Sequence, residues 1–121
     1  QQILDIAPEG FAVYSGDDAT ARQFILMGAD GDISVTANVA PKLMSEMCAA
    51  ALAGNAELAA SIDAQLSALH KNLFIEANPI PVKWAVSQLG LIDNALRLPM
   101  TPLSADKYEV VRAAMRSAKL L

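Results

Sequence analysis

Apolar positions are not spread evenly along the chain. The run "FAVYS" at 11–15 joins aromatic and β-branched residues and is ended by Gly16, which predicts a short strand. Asp17 and Asp18 then stand where helix N-caps belong, ahead of "ATARQFILMG", whose Phe24, Ile25 and Met27 give an apolar flank and whose Gly28 gives a stop. The pattern repeats. In "ADGDISVTANV" a second strand is predicted at about 32–35, centred on Ile33, Ser34 and Val35, between a glycine turn and a polar exit. Pro41 sits in the first turn of a helix that carries Leu43, Met44, Met47, Cys48, Ala51 and Leu52 and closes at Gly54. Ahead of both units, "QQILDI" reads as the tail of a helix and "APEG" as a connection.

From residue 55 onward only the helical period remains. Asn55 is a candidate cap for a helix in which Leu58, Ile62, Leu66, Leu69 and Leu73 recur every three or four residues, forming a continuous apolar stripe. "EANPIPVKWAVSQLG" breaks at Asn78-Pro79 and restarts at Pro81, with Val82, Val86 and Leu89 on one face and Gly90 at the end. After the proline-punctuated "LRLPMTPLS", a last helix starts near Ala105, capped by Ser104, and aligns Tyr108, Val111, Met115 and Ala118. The predicted organisation is two βα units over 1–54 and an α-helical region over 55–121.

Two βα units do not close a fold. Strands joined by crossover helices lie parallel, and parallel sheets occur almost only with helices over both faces. A two-stranded one leaves its outer backbone donors and acceptors unpaired, at about 1–3 kcal/mol for each that becomes buried. The pattern therefore predicts that further strands lie upstream, as part of a longer chain.

Composition narrows the function classes. A hydrophobic fraction of 54% marks a core-forming sequence, far from the polar composition of disordered ones. The Ala-rich "MCAAALAGNAELAASI" is interrupted by Asn55 and Glu57, short of the ~18 apolar residues of a spanning helix, so no membrane span is expected. Thirteen acidic against nine basic residues give a net charge of -4, which would repel a phosphate backbone, and no nucleic-acid partner is expected. With Cys48 as the single cysteine no intrachain disulfide can form, which fits the reducing cytoplasm. Cys48 lies among Met47, Ala49, Ala50 and Ala51 and reads as a buried thiol instead of a nucleophile. His70 has no second histidine or cysteine to complete a metal site and reads as structural, near a helix end. Asp17 and Asp18 read as helix caps before catalytic carboxylates, and Trp84 as core or interface.

Four stretches, "YSGDD", "GDISVTANVAPKLM", "NPIPVKWAVSQLG" and "LRLPMTPLS", occur in this order with these gaps. Together they resemble the C-terminal part of the dihydrodipicolinate synthase (4-hydroxy-tetrahydrodipicolinate synthase) family, over essentially the whole chain. The resemblance implies an α/β fold: the last two βα units of a (β/α)8 TIM barrel, with 11–15 as the seventh strand and 32–35 as the eighth, followed by an appended helical region. Such barrels need about 250 residues, so the upstream part of the same enzyme is the implied partner. Also implied is a lyase of lysine and diaminopimelate biosynthesis. It condenses pyruvate with L-aspartate 4-semialdehyde through a Schiff base, as a class I aldolase does, needs no cofactor, and acts as a cytoplasmic homotetramer.

The residue-by-residue match is uneven. None of Lys42, Lys71, Lys83, Lys107 or Lys119 matches the family's Schiff-base lysine, and neither Tyr14 nor Tyr108 matches its proton-relay tyrosines. No catalytic residue is expected in this portion, which alone should be inactive. Ile33 matches the position whose main-chain carbonyl faces the pyruvate pocket. Gly16 matches a pocket-lining position, where a missing Cβ lets backbone approach ligand. Asp32 departs from the family pattern, which has a small apolar residue there, and an ionised carboxylate at a strand start must reach solvent or a partner. Two alternatives stand beside this reading: another pyruvate-dependent aldolase of the superfamily, of the N-acetylneuraminate lyase kind, and a noncatalytic helical module that binds a protein partner. "ISVTANVAP" with "NPIPVKWA" favours the synthase.

Overall fold

A computed structural model describes residues 2–121. Helix α1 (Gln2–Ile6) leads into strand β1 (Tyr14–Ser15), helix α2 (Asp18–Leu26) and strand β2 (Gly31–Asp32). A 3-10 turn (Thr36–Asn38) precedes helices α3 (Pro41–Leu52), α4 (Ala56–Asn72) and α5 (Ile80–Gln88), and a second 3-10 turn (Ala105–Lys107) runs into α6 (Tyr108–Ser117). Gln1, part of the predicted helix tail, lies outside the described residues.

The strands pair in parallel, Tyr14 opposite Gly31 and Ser15 opposite Asp32. Hydrogen bonds from Asp30 N–H to the Val13 carbonyl (2.8 Å) and from Ile33 N–H to the Ser15 carbonyl (2.9 Å) carry the ladder one step further at each end. Both strands are shorter than the sequence pattern predicts. The expected strand over 11–15 is reduced to its last two residues, and the one over 32–35 ends at Asp32, so Ile33 follows the strand and Val35 already belongs to a turn. At the second strand the cause is a carboxylate: Asp18 Oδ2 accepts from Val35 N–H (3.1 Å) and Thr36 N–H (2.9 Å), donors that a continuing strand would need. Local side-chain acceptors compete with ladders in this way.

Capping also differs from expectation. Asp17 occupies the N-cap of α2 without bonding its backbone, and its carboxylate instead accepts from Thr20 Oγ1 at 2.6 Å. Asp18 is the first helical residue and caps the Thr36 turn across the fold. The apolar flank of α2 is Ala21 and Ile25; Phe24 is half-buried and Met27 is largely exposed, both lying off the i, i+4 stripe. Ser104 precedes the second 3-10 turn and its hydroxyl caps nothing; its N–H donates to Glu76 Oε1 at 3.3 Å.

Other expectations hold. Asn55 Oδ1 accepts from Leu58 N–H at 3.1 Å, and the α4 stripe of Ile62, Leu66, Leu69 and Leu73 is buried, though Leu58 at its start is exposed. Gly54 and Gly90 close α3 and α5 at φ of 73° and 72°, a conformation open to glycine. The main apolar cluster joins Ala21, Met44 and Met47 to Leu66, Leu69, Trp84, Val111 and Met115, so it draws on both sides of residue 54. Trp84 stacks on Tyr108 with ring centroids 4.8 Å apart, and the Arg112 guanidinium lies 5.4 Å from the Trp84 ring centre. That stack pins α5 against α6. Among the described residues no helix is long and apolar enough to cross a membrane.

Candidate functional site

Parallel pairing brings the C-terminal ends of both strands to one edge, and the residues that leave those ends are Gly16 and Ile33. Both line an open cleft of about 670 Å³. Val35 and Asn38 continue the same wall from the Thr36 turn, and Pro79 and Lys83 close the far side from the start of α5. The break at Asn78-Pro79 is what lets that helix begin over the strand ends. The C-terminal edge of parallel strands is the ordinary place for a ligand in α/β folds.

The two pocket positions inferred from sequence thus meet in one cleft. Within this chain Ile33 is 71% exposed. Among the described residues no donor pairs with its carbonyl oxygen, while its N–H is held by Ser15. A Cβ placed on Gly16 would meet no atom within 4 Å. The glycine therefore relieves no crowding inside the chain, and it leaves that part of the wall as bare backbone.

A line of polar side chains supports the wall from behind. Asp18, 2% exposed, also accepts from Thr36 Oγ1 at 3.0 Å. Thr36 Oγ1 lies 2.9 Å from His70 Nδ1, and His70 Nε2 lies 3.3 Å from Asp63 Oδ1. Arg22 Nε donates to the other oxygen of Asp63 at 2.9 Å. Burial raises the Asp63 carboxyl, but the hydrogen bonds of His70 and Arg22 outweigh it and hold the group below the usual carboxylate range. Burial likewise pushes Asp18 up, yet contacts from Ser34, the Thr36 backbone, Asp32 and the Thr36 hydroxyl keep it lower than an ordinary aspartate. The Cys48 thiol is pushed up by burial and then by the charges of Asp32 and Asp18, which leaves it a poor nucleophile.

This supporting line is the part that pattern reading missed. One signal was present: Asp63 and His70 are seven residues apart on one helix, close to two full turns, which sets them on the same face. Nothing local reveals that Thr36, 34 residues from His70, completes the contact. Lys83 reaches the cleft wall although it matches no Schiff-base position.

A profile of the dihydrodipicolinate synthetase family matches residues 1–118. A curated 4-hydroxy-tetrahydrodipicolinate synthase of Azoarcus sp. (strain BH72) is 60% identical over 116 residues, covering 96% of this chain and 40% of that relative. Among solved structures, the chloride-inhibited dihydrodipicolinate synthase of Acinetobacter baumannii complexed with pyruvate is 52% identical with a TM-score of 0.89, over 92% of this chain and 38% of that one. A monomeric dihydrodipicolinate synthase variant is 44% identical with a TM-score of 0.88, over 92% of this chain and 37% of that one. The chain spans about 40% of the length of the curated relatives it matches, and its architecture corresponds to the C-terminal part of their TIM-barrel fold.

Proposed function

Since the chain belongs to the dihydrodipicolinate synthetase family, we propose that it forms the C-terminal part of a lyase that condenses pyruvate with L-aspartate 4-semialdehyde on the route to diaminopimelate and lysine. In this reading the remainder of the relatives' length supplies the other strands and the Schiff-base lysine. The chain itself supplies one wall of the pyruvate pocket and the α-helical region over 55–121. We assign the complete enzyme to the cytoplasm and to a homotetramer, the state the family resemblance implies.

The observation that supports the site is the meeting of Gly16 and Ile33 at one cleft, with the Ile33 carbonyl unpaired among the described residues. A free carbonyl acceptor suits the chemistry, because the attacking amine, the carbinolamine and the protonated imine all carry hydrogens that must be oriented. Bare backbone at Gly16 gives the ligand close approach on the neighbouring strand.

The test is an assay of the complete enzyme with pyruvate and aspartate semialdehyde, and separately with N-acetylneuraminate. Turnover of the first pair and not of the second is the expected result; the converse moves the chain to the sialic acid aldolases. The 121-residue chain alone is expected to turn over neither. Because the contribution of Ile33 lies in its main chain, Ile33→Val in the complete enzyme is expected to keep kcat within about 3-fold of the parent, a change in barrier of about 0.65 kcal/mol or less. A loss as deep as that of a variant without the Schiff-base lysine would remove the backbone role.

A further inference from the structure

Behind the cleft wall three buried carboxylate oxygens lack a donor: Oδ1 of Asp18 and both oxygens of Asp32. The two carboxyl groups lie within hydrogen-bonding reach of each other. Asp32 is half-buried at the end of β2, directly opposite Ser15 in the ladder. Two acceptors with no proton between them would repel at close range, while a single proton converts the contact into a short, strong hydrogen bond. From α4 the pair meets His70, whose charge favours an ionised Asp32; from α3 it meets the Cys48 thiol; from β1 and the Thr36 approach it meets the Ser15 and Ser34 hydroxyls. Arg22 on α2 is engaged by Asp63, which also takes His70 Nε2.

We propose that Asp18 and Asp32 share one proton, and that this proton positions the cleft wall. While it is held, Asp18 Oδ1 is satisfied by Asp32 and Oδ2 stays on the Val35 and Thr36 amides, fixing the segment that carries the Ile33 carbonyl. Loss of the proton sets two anions face to face. The relief is for the two side chains to move apart, and since Asp32 adjoins Ile33 while Asp18 holds the Val35 and Thr36 amides, the displacement disturbs the cleft wall.

Burial, then the hydrogen bond and charge of Asp18, push the Asp32 carboxyl up to about 7, against smaller opposing effects from Ser15 and His70. The folded protein thus holds a proton that the unfolded chain, with an ordinary aspartate near 3.8, has already released. The stabilisation from this group is complete below the unfolded value. It declines as pH rises between the two values and is gone above the folded one.

The experiment uses the complete enzyme, unmodified and as Asp32→Asn and Asp32→Val. The consequence for catalysis rests on the pyruvate reading above; the proton itself does not. Infrared difference spectra, parent minus variant, are expected to show a protonated carboxyl band at about pH 6 that fades through about pH 7. In the parent, KM for pyruvate is expected to rise about 5-fold across that window, the worth of about one hydrogen bond, with kcat changing less. Asp32→Asn donates to Asp18 at every pH and should hold KM at the parent's low-pH value throughout, and Asp32→Val, free of the second charge, should show no pH step. Absence of the band in the parent, or a KM step that survives Asp32→Asn, overturns the proposal. A band present in an enzyme that does not use pyruvate keeps the shared proton and overturns the functional reading instead.

Discussion

Replacing Asp18 with alanine is expected to destabilise the complete protein by about 3–5 kcal/mol, among the larger effects a single substitution has. The reason is the number of donors it would strand. Asp18 Oδ2 takes the amides of Val35 and Thr36 and the hydroxyl of Thr36, and Thr36 is fully buried. A buried amide without an acceptor costs about 1–3 kcal/mol, and hydrogen bonds to a charged group are worth about 1.5–3 kcal/mol each. Asp18→Asn keeps an acceptor oxygen for the same amides and should recover most of the loss. The comparison of the two variants by thermal melting decides the matter, since a general packing defect would affect them alike. If Asp18→Ala melts within ~1 °C of the parent, the clamp contributes nothing and the strand end must be fixed by something else.

Trp84→Ala is expected to cost about 3–5 kcal/mol and, on the function proposed above, to raise KM for pyruvate in the complete enzyme. Trp84 is 2% exposed and sits between α5 and α6, stacked on Tyr108 with the Arg112 guanidinium over its ring. Truncation leaves a void the size of an indole in the main core. It also removes a stacking contact and a cation-π contact of about 0.5–1.5 and 0.5–1 kcal/mol. The catalytic effect follows from where α5 sits, because Val82, Lys83 and Val86 of that helix line the cleft. Trp84→Phe retains a flat ring against Tyr108 and should return more than half of the stability. A denaturant midpoint for Trp84→Ala corresponding to under about 1 kcal/mol would show that α5 is anchored elsewhere.

What the sequence reveals depends on how local the cause is. The α4 stripe from Ile62 to Leu73, the Asn55 cap, Pro41 at the start of α3 and the glycine stops were all legible, because each is fixed by residues within a turn or two. The parallel pairing of two short strands was legible from the alternation of strand and helix patterns. The strand ends were not. Ile33, Ser34 and Val35 have the side chains of a strand, and only the Asp18 carboxylate, 17 residues away from Val35, diverts their amides into a turn. Asp18 itself looked like a cap for its own helix because its identity and position satisfy that rule equally well. For the site, the cleft membership of Gly16 and Ile33 followed from family resemblance, whereas pattern alone would have made Ile33 a core residue. The departure at Asp32 was visible, but its partner was not, since pairing across a strand end depends on register.

The chain of contacts from Arg22 through Asp63, His70 and Thr36 to Asp18 crosses residue 54 twice, linking α2 with α4 and α4 with the turn before α3. Anyone assembling chimaeras from two such synthases would find residue 54 an inviting splice point, since the strands end before it. A crossover there would transplant His70 and Asp63 without their correspondents. The exchangeable unit is the set of five, to be moved together or left alone.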